Sequence, residues 1–152
     1  MWFELGRKST LLVLPLLTAF TLAACDDDDT TNPPLDAEWE ATLVGVGTHG
    51  EVDGTVVVES NSTRFVADIS ITGATAQADF GWTLARGTCA TPGTALGAAN
   101  RYPELDVASN GSASAEASVP VGLDEDEDYI IRVFDVTGTT TVTVACGPLE
   151  LQ

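Results

Sequence analysis

A single histidine, His49, stands in the whole 152-residue chain, and no lysine follows Lys8. The scarcity of imidazole argues against a multi-histidine copper or zinc centre. It also leaves any nucleophile–histidine–carboxylate arrangement with one candidate base, around which no motif is built. Cations are as scarce: beyond residue 8 only Arg64, Arg86, Arg101 and Arg132 are positive, in a chain with 23 acidic residues. A surface of that sign repels nucleic-acid phosphate and anionic headgroups, and it favours solubility or cation binding. Helical periodicity is missing throughout. Only one stretch is continuously apolar, Leu11 to Ala24, and it lies at the very start.

That stretch follows Arg7 and Lys8. It is too short for a membrane span, and its charged flank is that of a secretory signal. It closes on Leu22-Ala23-Ala24-Cys25, which resembles the lipobox of bacterial lipoproteins, where an aliphatic residue and two small ones precede a cysteine. The resemblance implies that a signal peptide, residues 1–24, is removed and that Cys25 is acylated as the first mature residue. It places the protein in the bacterial cell envelope, lipid-anchored to the inner or outer membrane, with its domain in the periplasm or at the cell surface. Taking away Glu4, Arg7 and Lys8 leaves four arginines against 22 acids, a net charge of −18. With such a charge the acyl chains alone hold the protein to the bilayer, each buried methylene contributing about 0.8 kcal/mol.

Residues 25–36 form the tether. Asp26 to Asp29 and then Thr30-Thr31-Asn32-Pro33-Pro34 have no periodicity and nothing to pack. Extended, residues 26–36 reach about 35 Å. An acidic run directly after the lipidated cysteine resembles lipoprotein sorting signals, but these direct retention in some bacteria and export to the surface in others, so the leaflet stays open.

From Ala37 the pattern turns to period two. Trp39, Ala41 and Leu43 alternate with Glu38, Glu40 and Thr42, the mark of a half-buried strand. A valine-rich strand over 55–59 turns at Asn61-Ser62 into a second strand with Phe65, Ala67, Ile69 and Ile71 inward, and the two read as a hairpin. Asn61-Ser62-Thr63 spells a glycosylation sequon and is read as that turn. Phe80, Trp82 and Leu84 share one face of the next strand, and Thr83 and Ala85 share the other. A long loop over 87–103 carries Cys89. A short strand at Leu105 and Val107 precedes the hairpin turn Asn110-Gly111, and 112–119 is a weakly apolar strand suited to an edge. The acidic run Asp124 to Asp128 leads into Tyr129–Phe134, and a last strand alternates Val142, Val144 and Cys146 with Thr141 and Thr143. Eight short strands over residues 37–152 predict an all-β antiparallel sandwich or flattened barrel.

If Cys25 carries lipid, Cys89 and Cys146 remain, with one intramolecular pairing open to them; a metal pair or two free thiols are the alternatives. The strand order, Gly81–Cys89 and Ala145-Cys146-Gly147 resemble the Greek-key sandwiches of copper/zinc superoxide dismutase and the related chordin-type domains of bacterial lipoproteins. The resemblance covers residues 37–151. It implies a disulfide from the loop after the fourth strand to the last strand, matching Cys89 and Cys146. It also places metal-binding imidazoles at Thr83, Ala85 and Phe134, where this chain has none. The expectation is therefore the fold without the enzyme's metal site and without a cofactor. Asp124, Asp126 and Asp128 offer hard oxygens to calcium, but without the glycine and spacing of an EF-hand loop; a solvated turn is the plainer reading. Trp39 and Trp82, on apolar faces, are expected in the core rather than as ligand platforms. Function is expected to be that of a non-catalytic binding or structural module meeting an envelope protein or glycan. The alternative is an enzyme, either a hydrolase using loop carboxylates or a degenerate dismutase relative.

Overall fold

The computed structural model describes residues 33–137 and 141–152. Pro33 to Asp36 lie in no regular element, and from there the strands follow the period-two pattern. In β1 (Ala37–Gly45), Trp39, Ala41 and Leu43 are buried while Glu38, Glu40 and Thr42 face water. A 3-10 turn, Gly47–His49, leads to β2 (Asp53–Ser60), and Asn61 to Arg64 turns the chain tightly into β3 (Phe65–Thr72). Asn61 builds that turn by accepting hydrogen bonds at Oδ1 from the Thr63 hydroxyl and from the amides of Thr63 and Arg64. Its Nδ2 donates to the carbonyls of Pro33 and Pro34 at 2.9 and 3.0 Å, which ties the entering chain to the same corner.

The remaining strands are β4 (Asp79–Gly87), β5 (Pro92–Ala95), β6 (Leu105–Asp106), β7 (Ala113–Val119), β8 (Tyr129–Asp135) and β9 (Val142–Leu151). All pair antiparallel in one curled sheet, ordered β5-β4-β8-β9-β1-β2-β3-β7, with β6 beside β4. Consecutive β3 and β4 lie far apart in that order, as do β7 and β8, so both connections are Greek-key crossovers. β7 pairs with β3 alone and is an edge, as its small side chains led us to expect. The segment 87–103 is more ordered than a plain loop, since it contains β5 and a 3-10 turn at Ala99–Arg101.

The inner face is one apolar core. Trp82, Tyr129, Phe65, Leu43 and Ile131 are among its fully buried members. The two buried tryptophans are satisfied rather than presented: Trp39 Nε1 donates to Ser60 Oγ at 3.1 Å, and Trp82 Nε1 to the Pro103 carbonyl at 2.8 Å. Edge-to-face packing joins Trp39 to Tyr129 and Trp82 to Tyr102, with centroids 5.8 and 5.2 Å apart.

The expected alternation in the last strand does not hold. Val133 pairs with Ala145, yet its neighbour Phe134 pairs with Thr143, so Val144 is an extra residue in β9. A bulge of this kind resets the phase of the side chains. Val144 and Ala145 are both buried in the core, and Cys146 falls on the outer face opposite Arg132. There it bonds Cys89 from the β4–β5 connection, with Cα atoms 6.0 Å apart.

Two outcomes follow from this packing. The bridge joins residues 57 apart, and on the chain-entropy estimate it is worth about 4 kcal/mol. Reducing it is expected to lower the melting temperature by roughly 10–20 °C, as followed by circular dichroism; two titratable thiols in the native protein would instead show that no bridge forms. The second outcome is a pH dependence. Tyr102 donates its hydroxyl to the Leu96 carbonyl at 2.7 Å, and burial pushes its phenol from 10.0 up to about 12. Over that interval the unfolded chain releases a proton that the folded chain keeps, so stability falls as the pH rises through it. Tyr102→Phe should remove this alkaline slope in denaturation midpoints, while costing about 1 kcal/mol at neutral pH through the unpartnered carbonyl.

Candidate functional site

On the outer face of β4 and β8, Thr83 pairs with Arg132, Ala85 with Ile130, and Gly81 with Phe134. The Phe134 ring fills the space over Gly81, where a methyl group would meet its edge at 2.4 Å. The Arg132 guanidinium lies 6.0 Å from the same ring's centroid, within cation–π range. Ala85, Ile130 and Cys146 form a second, smaller apolar cluster beside the disulfide. The positions that the dismutase resemblance would fill with imidazoles thus carry a threonine, a methyl group and a packed phenyl ring. This donor set does not fit copper or zinc.

His49 packs edge-to-face on Phe80 with centroids 6.3 Å apart. Asp135 is held below the usual carboxylate range by the Thr137 hydroxyl and amide, with a smaller electrostatic contribution from His49. Among the described residues no three His, Cys, Asp or Glu side chains come close enough to hold a metal ion. Asp124, Asp126 and Asp128 are exposed and do not converge. Asp124 instead closes its own turn, its Oδ1 accepting the Asp126 amide at 3.1 Å, while its amide donates to the Tyr129 hydroxyl at 3.0 Å. Cys25 and the signal segment fall outside the described residues.

The outer surface offers concavity elsewhere, in three adjoining shallow depressions. One, of about 450 Å³, lies over β2, β1 and β9 and is lined by Glu40, Thr42, Thr55, Val57, Pro148 and Glu150, among others. A second, of about 480 Å³, shares Pro148 and Glu150 with the first and extends past Cys89 to Asp128 and Tyr129. The third, of about 570 Å³, shares Tyr129 with the second and is bounded by Arg86 and the 124–126 turn. No protein-family model matches the chain, and no curated protein matches it.

Opposed acids recur in the sheet: Asp79 pairs with Asp106 across β4 and β6, both exposed, and three more such pairs lie on this side. Glu38 pairs directly with Glu59, Glu40 with Glu150, and Asp68 with Glu116. All six are exposed. Like charges directly opposite one another in an antiparallel sheet are destabilising. Period-two alternation predicts that each acid faces outward, but only the strand register reveals that they face one another. Glu40 and Glu150 are the pair that stands in a depression. It is open to water, whereas a carboxylate pair doing acid–base work needs unlike environments to separate its two roles.

Neutralising one member of a pair should therefore stabilise the isolated domain. Asp68→Asn is expected to raise the melting temperature by a few degrees at low ionic strength, on the order of 0.5 kcal/mol. Molar salt should erase the gain. A lower melting temperature, or a gain indifferent to salt, would mean that Asp68 and Glu116 do not repel.

Proposed function

We propose that the protein is a lipid-anchored component of the bacterial envelope and that its β-domain is a non-catalytic binding module. The anchor rests on Leu22-Ala23-Ala24-Cys25 and the charged, apolar leader before it. The binding role rests on one observation above all, the three opposed carboxylate pairs spread across a single sheet face. That arrangement costs the free domain stability and is relieved when a partner brings cations to the face. The disulfide between the β4–β5 connection and the last strand agrees with kinship to the dismutase-like and chordin-type sandwiches. The side chains at Thr83, Ala85 and Phe134 favour a member of that group that binds rather than reacts.

The anchor is tested by Cys25→Ser in the expressed precursor. The variant is expected either to leave the membrane fraction or to persist at its unprocessed mass. Unchanged fractionation together with an unchanged mature mass would reject the lipid anchor.

A further inference from the structure

We infer that the partner presents an extended, basic segment, seated in the furrow formed by the three adjoining depressions. The inference rests on reading the domain as a binding module, and it adds the partner's chemistry and the place of contact. The furrow runs from Val57 and Glu40 across Pro148, past the bridge at Cys89, to the turn at Asp124. Its floor is partly apolar and is held rigid by the disulfide and by the β8–β9 pairing. Its rim carries carboxylates all along: Glu40 and Glu150 at one end, Asp128 in the middle, Asp124 and Asp126 at the other. Arg86 is the one cation that lines it.

Lysine and arginine suit such a furrow because their aliphatic stems cover apolar surface while their charged ends reach acids at the rim. An extended chain directs alternate side chains to one side, at intervals of about 7 Å. A series of small depressions is therefore better matched by a strand-like segment than by one compact ligand. A second copy of this chain is excluded by charge, since the segment after residue 24 carries −18. A small polyamine would satisfy the acids and leave the apolar floor uncovered.

The test uses the full chain in non-ionic detergent, with a labelled short peptide that alternates lysine and valine, read by fluorescence anisotropy. Binding is expected at low ionic strength, weakening as salt is added, and lost when glutamine replaces each lysine. The double variant Asp128→Asn with Glu150→Gln should weaken binding roughly tenfold. The double variant Asp79→Asn with Asp106→Asn makes the same change in charge across β4 and β6, outside the furrow and outside the three pairs, and should alter affinity less than about twofold. Equal losses in the two double variants would overturn the furrow while leaving a binding domain in place. Spermine that competes as tightly as the peptide binds would overturn the extended segment. Failure of the peptide to bind any form of the protein would overturn the basic partner and remove the main support for the binding reading.

Discussion

β1 and β9, the first and last strands of the domain, are hydrogen-bonded neighbours, and every path across the sheet passes through their pairing. Without it the sheet falls into two pieces, β5-β4-β8-β9 with β6 and β1-β2-β3-β7, each with a new open edge. The backbones come close at the middle of this seam. A side chain at Gly147 would meet the Thr42 carbonyl at 2.2 Å, so the position accepts only hydrogen. Each strand of the seam is also tied on its far side, β1 to β2 by Trp39 on Ser60 and β9 to the β4–β5 connection by Cys146 on Cys89. β7 hydrogen-bonds as a strand to β3 alone, so its small side chains contribute chiefly through Ala117 and Val119, which are buried in the core.

The same seam sets the chemistry of the surface. Pairing β1 with β9 in this register places Glu40 opposite Glu150, while β1 with β2 does the same for Glu38 and Glu59. The domain's electrostatics are thus a product of its register as well as its composition. On the other outward surface, over β4 and β8, the residues are mainly apolar or neutral, with Arg132 stacked on Phe134. Around Arg132 the outer surface is packed and nearly neutral, while acids stand over β1, β2, β3, β7 and β9 and, as Asp79 with Asp106, at the β4–β6 end.

Much of this could be read from residue order alone. Trp39-Glu40-Ala41 and Phe65-Val66-Ala67 announce strands because alternation is a local property, and Asn61 announces its turn for the same reason. The partner of Cys89 could also be named, since few cysteines leave few choices. Three things were out of reach. The pairing of Asp68 with Glu116 depends on a register between strands separated by 47 intervening residues (69–115). The strand at Pro92–Ala95 has four exposed, weakly patterned residues and acquires its conformation only by lying against β4. The bulge at Val144 is invisible because valine suits either phase, and the choice belongs to the fit against β8.

That bulge makes the disulfide a test of alignment. In an unbulged β9 the chain beyond Thr143 would be displaced by one residue relative to β8, and Cys146 would point into the core, away from Cys89. Only the strand that has taken up its extra residue presents a sulfur where the other can reach it. Oxidation thereby discriminates among registers that backbone hydrogen bonding alone would tolerate, and once formed it forbids the strand from sliding back. A covalent bond on the outside of the barrel thus polices the fit of side chains on the inside.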